Sequence, residues 1–220
     1  MNQSLYPIWD LLQRLSHWCY PILILFSWWT AENARMDWHS VSGYCLLTLV
    51  LWRIYWGFKG SHYAQFKRFV PSPRAIVQYL KGTSGPYLGH NPLGALSVLV
   101  LLTLLLVQSV SGLFNTDDLF LDGPLVVFVT DATVAWASEI HEWSWLLLQG
   151  FIVLHLLAIA FHQFYKGERL IQKMLFGRWL VRESEIASNS TLRGVIALAV
   201  VIGLVVGIGW LIPEPEPTMW

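Results

Sequence analysis

The sequence predicts an all-α membrane protein: a four-helix transmembrane bundle plus a fifth, C-terminal transmembrane helix. Three observations predict it. Of 220 residues, 55% are hydrophobic and only 13% charged, more apolar surface than a soluble domain of this length buries. There are 13 tryptophans, a residue that collects where an aromatic ring can sit at headgroup level. Apolar runs of about 20 residues, the length that crosses roughly 30 Å of hydrocarbon, recur at about 11–30, 38–58, 93–114, 138–164 and 192–212. A formal net charge of zero gives no global pull toward nucleic acid.

Taken in order, the first run carries Arg14, Ser16 and His17, and polar groups in a span face the bundle interior. It reads as a retained span and not a cleaved leader, because Arg14 lies inside its apolar core and TAENA after Trp29 is a poor cleavage site. The second run opens at His39 and ends with Arg53 near Lys59. The third, LGALSVLVLLTLLLVQSVSGLF, has no histidine and reads as packing scaffold. The fourth holds His141, Glu142, Gln149 and His155. The fifth, GVIALAVVIGLVVGIGWLI, reads as an added anchor before a stiff PEPEP tail. Residues 1–177 are thus expected to form the bundle, and 178–220 a linker, the fifth helix and the Pro/Glu tail.

Lys and Arg set the orientation. The loop from Lys59 to Asn91 holds Lys59, Lys67, Arg68, Arg74 and Lys81 without an acid, and that from Tyr165 to Leu192 holds Lys166, Arg169, Lys173, Arg178 and Arg182. Both are expected to be cytoplasmic. The opposite loops hold Glu32, Asp37, Asp117, Asp118, Asp122, Asp131 and Glu139 against the single base Arg35. The N-terminus is then inside and the C-terminus outside.

Four histidines fall into this frame. An ionisable residue buried in lipid is costly and marks a functional site by default. On one helix, His141 and His155 differ by roughly 40° in azimuth and about 21 Å in depth, so they point toward one seam at two levels. The topology puts His39 and His141 near the outer face, and His17 and His155 near the inner one. Two facing imidazoles at two levels suit two six-coordinate haems of b type; no Cys-x-x-Cys-His exists for covalent attachment. Gly43, one turn after His39, lets a flat macrocycle approach the backbone. Arg14 and Arg53 project near the inner level, either as propionate partners or as snorkelling flanking cations. Cys19 and Cys45 read as buried small hydrophobes, not a disulfide.

RLSHW around His17, HSVSG and LLTLVLWRIYWGF from His39 on, YLGHNPLG at 87–94, and HEWSW with LH fourteen residues after His141 carry a resemblance. Over about residues 5–177 the chain resembles the bacterial cytochrome b561 family, including the b-type subunit of membrane-bound nickel-iron hydrogenases. RIYWGFKGSHY and GHNPLG look closest to the hydrogenase-type branch. The resemblance implies a four-helix core in the bacterial inner membrane with two b haems, their axial ligands matching His17, His39, His141 and His155. It also implies electron transfer between a periplasmic redox partner, a c-type cytochrome or a hydrogenase-like protein, and the membrane quinone pool. The fifth helix departs from the short members and leaves the partner open.

The remaining groups bear on the quinone. His162, near the face of His155 at the cytoplasmic end, is a quinone proton donor, a propionate contact or an interface residue. His62 and His90 read as surface histidines, with His90 also placed to approach a quinone headgroup. Arg14, His90, His162, Lys166 and Glu168 are the inner candidates for a quinone site, and Glu139, Glu142, Trp143 and Trp145 the outer ones. The inner side is preferred because an electron from a periplasmic partner then uses both haems. The acidic outer loop either steers a basic partner or only reflects the positive-inside bias. Two other readings stay open: a superoxide:quinone oxidoreductase without a protein donor, and a membrane transporter of metal or protons. The transporter reading lacks internal repeats or broken helices.

Overall fold

The computed structural model describes residues 4–84, 87, 89–116, 122–181 and 191–211. In chain order the helices are α1 (Leu11–Glu32), α2 (Met36–Lys59), α3 (Phe66–Phe69), α4 (Pro73–Leu80), α5 (Pro92–Gly112), α6 (Asp131–Ala160), α7 (Leu170–Phe176) and α8 (Thr191–Leu211). A π-helical turn, Phe161–Tyr165, continues α6. Two short strands, β1 (Ser4–Pro7) and β2 (Arg178–Val181), pair antiparallel, bringing the residues before α1 beside those after α7.

All five expected runs are helical. Three of them, Met36–Lys59, Pro92–Gly112 and Asp131–Tyr165, are long and apolar enough to cross a membrane. Helix α1 has the length, 22 residues, but Gln13, Arg14, Ser16, His17 and Ser27 dilute its hydropathy. Helix α8, 21 residues long, is apolar throughout after Arg193. Helix α6 begins seven residues before the expected 138, because Thr130 caps it, accepting from the Thr133 amide, and Asp131 in the first turn favours the dipole. The short helices of the basic loops were not foreseen. For α4, Ser72 accepts from the Ala75 amide and Pro73 fills the first turn.

Helix α1 packs along α2, and α5 along α6; α2 also meets α5 and so joins the two pairs. Val50, Leu105 and Leu148 form the buried centre, with Tyr20, Ile24, Leu101 and Ile152 against it. Leu148 lies midway between His141 and His155 on α6, so an apolar layer separates the two histidine levels. The outer surface is apolar: Ile22, Leu25, Leu146, Val153, Leu154 and Leu157 are all exposed, the expected dress of a bundle whose solvent is lipid. Cys19 and Cys45 are free. They lie on this exposed surface, which corrects the expectation of burial: both sit on helix faces turned away from the bundle seam.

Helix α8 docks on α2 at the basic end. Trp52 donates from Nε1 to the Gly194 carbonyl at 3.0 Å, and Trp52, Trp56 and Ala64 pack against Leu12, Ala197 and Leu198. A β-carbon at Gly194 would run into Leu12 and the Trp56 ring. Glycine there allows the close approach.

Candidate functional site

Of the four intramembrane histidines, two face each other ring to ring and the other two lie within electrostatic reach of each other. His39, in the first turn of α2, faces His141 of α6 with ring centroids 6.3 Å apart and planes 79° apart. His17 of α1 and His155 of α6 are close enough to act on each other electrostatically.

Hydrogen bonds fix which nitrogen each ring presents. His39 Nδ1 lies 2.9 Å from the Ser27 carbonyl oxygen and 3.2 Å from its hydroxyl. His141 Nδ1 lies 3.0 Å from the Gln108 carbonyl and 3.2 Å from Ser111 Oγ. A carbonyl only accepts, so in both rings Nδ1 donates a proton and Nε2 is the nitrogen left to face a metal. His155 Nδ1 meets Ser97 Oγ at 3.1 Å. His17 Nδ1 is shielded without a partner. Pro21 lacks the amide hydrogen that would bond the His17 carbonyl one turn back.

The sequence reading missed the contribution of α5. Ser97, Gln108 and Ser111 all come from this helix, which by its sequence reads as scaffold. Spacings of 11 and 3 put them on one stripe, a polar line on an apolar helix, and that is the signal that finds them. Gln108 also presents its side-chain nitrogen 2.9 Å from His141 Nε2, while Ser144 donates to its Oε1; a metal held at Nε2 would displace this amide. Gly112, at the end of α5, lies against the His141 ring.

Space and donor chemistry both fit a metal macrocycle at the His39–His141 level. A crevice of about 300 Å³, open to the surface, runs between α1, α2, α5 and α6, lined by His39, Gly43, Gln108, Gly112, His141 and Trp145 among others. A β-carbon at Gly43 would meet no atom within 4 Å: the glycine opens onto the crevice. Two imidazoles on opposite sides of one metal, with metal–nitrogen bonds of about 2 Å, have centroids roughly 6 Å apart, close to the 6.3 Å observed.

At the basic end, Arg53 is buried, 5% exposed; Nη1 donates to the Ala64 carbonyl at 3.3 Å and the guanidinium sits over Phe66 at 5.4 Å. Arg14 donates from Nη1 to the Leu175 carbonyl at 2.5 Å, at the end of α7. His90 is not a surface histidine. Its ring lies between Trp9 at 4.4 Å and Phe69 at 4.8 Å. Burial first, then the charges of Arg53, His17 and His155, lower its pKa to about 3, so it is neutral near pH 7.

His162 stands apart. Its Nδ1 meets Glu168 Oε2 at 3.0 Å and its Nε2 meets the Tyr79 hydroxyl at 3.4 Å, a chain linking α4, the π-helical turn and the turn after it. Lys166 Nζ lies over the rings of Tyr79 at 5.5 Å and Phe161 at 5.6 Å. At the acidic end, Glu142 and Trp145 line the crevice, and Thr116 donates to Asp122 at 2.6 Å. Asp117, Asp118 and Arg182 lie outside the described residues.

The sequence profile described as prokaryotic cytochrome b561 matches residues 8–177. Two relatives, each named a probable Ni/Fe-hydrogenase B-type cytochrome subunit, come from Azotobacter chroococcum mcd 1 and Azotobacter vinelandii. Each is 27% identical over 161 residues, which is 63% of this chain and 65% of the relative. The match therefore spans a little under two thirds of their length.

Proposed function

The chain belongs to the prokaryotic cytochrome b561 family, and on that premise we propose that it carries electrons across a bacterial inner membrane through two b haems. His39 and His141 hold the outer haem and His17 and His155 the inner one, with the N-terminus cytoplasmic and the C-terminus periplasmic. The observation that carries this reading is the His39–His141 pair, 6.3 Å apart, each ring donating from Nδ1 to a backbone carbonyl. A transporter reading gives two such fixed, facing imidazoles no task.

When bound, each b haem would supply a one-electron carrier, and a pair of imidazoles holding it would favour electron transfer over oxygen chemistry. The chain does the rest. Ser27, Gln108, Ser111 and Ser97 hold the ring orientations. The layer of Val50, Leu105 and Leu148 keeps water out between the levels.

At the acidic end, the partner is a periplasmic redox protein, a c-type cytochrome or a hydrogenase-like protein, met by the loop around Asp117, Asp118, Asp122 and Asp131. At the basic end, the partner is quinone. A quinone takes up protons with its electrons, and there Glu168, 42% exposed, hands protons to His162, 12% exposed, with the Tyr79 hydroxyl beyond it; Lys166 adds positive charge beside Tyr79. The test is the absorption spectrum of the detergent-purified protein, with b-type bands from two haems per chain expected.

A further inference from the structure

Among the described residues, the buried side-chain atoms without a hydrogen-bond partner are Gln13 Oε1, Arg14 Nε, His17 Nδ1, Arg53 Nη2 and His90 Nδ1. They come from the start of α1, the last turns of α2 and the residue before the Asn91 cap of α5, all at the basic end. Buried polar groups are rarely left unpaired, so a cluster of them implies a shared absent partner. All but the Gln13 oxygen are nitrogens able to donate, Arg53 always charged. The partner is therefore an acceptor, and a carboxylate suits it best.

Two of these atoms are held in place. Arg53 is fixed by its bond to the Ala64 carbonyl and by the Phe66 ring, which leaves Nη2 over. His90 is held between the rings of Trp9 and Phe69. His90 lies within electrostatic reach of Arg53, His17 and His155, so the pair sits beside the inner histidine level. Arg14, by contrast, directs Nη1 to the end of α7.

We propose that Arg53 Nη2 and His90 Nδ1 anchor the carboxylate arms of the porphyrin held at the His17–His155 level. The proposal rests on the di-haem reading above. It assigns His90 to the cofactor site and removes it from the quinone site. Removing a donor from a carboxylate leaves its negative charge less compensated, which stabilises the oxidised haem and lowers that haem's midpoint potential.

The experiment is a spectroscopic redox titration of the purified, haem-loaded protein, with the inner haem identified as the one lost in His17→Ala. His90→Phe and Arg53→Met are each expected to shift its reduction equilibrium by about tenfold toward the oxidised form, about 59 mV for one electron, without moving the outer haem. His90→Gln, which keeps a donor, is expected to restore most of the shift. If His90→Phe instead loses the inner haem, retention in His90→Gln supports the anchor and loss in both overturns it. Unchanged midpoints in His90→Phe and Arg53→Met, or equal shifts of both haems, also overturn it. A wild-type protein without two haems overturns the di-haem reading itself, a distinct result.

Discussion

Gly112 of α5 lies against the imidazole of His141: a β-carbon at position 112 would stand 3.0 Å from Cε1 and 3.4 Å from Nδ1. The ring cannot retreat freely, because Nδ1 is tied to the Gln108 carbonyl. Gly112→Val is expected to force the ring off its axis, with overpacking costing roughly 1–3 kcal/mol. One haem should be lost on purification and the other kept, as read by haem content per chain. Retention of both in Gly112→Val would show that the His141 position tolerates movement.

Ser97 and Ser111 should differ in consequence. Ser97 Oγ is the polar partner seen at His155 Nδ1, whereas His141 Nδ1 keeps the Gln108 carbonyl when Ser111 is removed. Ser97→Ala is expected to weaken haem binding at the inner level by roughly 10–100-fold, the usual effect of losing a partner behind a metal-bound imidazole. Ser111→Ala should cost much less. Haem titration into the apoprotein measures both.

These pairs show what was legible in the sequence. The four histidines stand out because each interrupts an apolar run, and helix periodicity with the Lys/Arg bias leads to the expected order in depth. Their partners did not stand out. Serines in a transmembrane helix satisfy themselves on the preceding turn, as Ser16 does on the Gln13 carbonyl, so a serine alone says nothing about what it faces. The spacing of Ser97, Gln108 and Ser111 marks a polar stripe on α5, but only the packing of α5 on α6 shows that this stripe meets His141 and His155. His90 looked like a loop histidine because the rings that bury it, Trp9 and Phe69, come from distant segments. The start of α6 was missed because its cap, Thr130, lies outside the apolar run.

Gly177 closes α7 with φ 71°, and a β-carbon there would come within 2.7 Å of Arg14 Nε. Gly177→Ala is expected to destabilise the protein by about 1–2 kcal/mol from the left-handed backbone alone, more with the clash. Hydrogen exchange should rise across residues 170–177 while the haem spectrum stays intact. An unchanged exchange rate there would mean that the Arg14 contact does not restrain α7.

His162→Asn and Glu168→Gln break the Tyr79–His162–Glu168 chain at different links. Each is expected to slow quinone-linked electron transfer by roughly 10²-fold or more, the scale of a lost proton-transfer group, with both haems retained. Stopped-flow reduction of the haems by a water-soluble quinol analogue measures it. Unaltered rates in both variants would place quinone elsewhere, with the Glu142 and Trp145 mouth of the crevice the next site to test.

The central claim, two haems held by two depth-matched histidine pairs, is tested most directly by reduced-minus-oxidised spectra with haem quantification on the purified wild type and its single histidine variants. The account predicts about two b haems per chain. His39→Ala and His141→Ala should lose the same one, and His17→Ala and His155→Ala the other. A colourless preparation would contradict it, and so would a His155→Ala protein that keeps both haems while His162→Ala loses one.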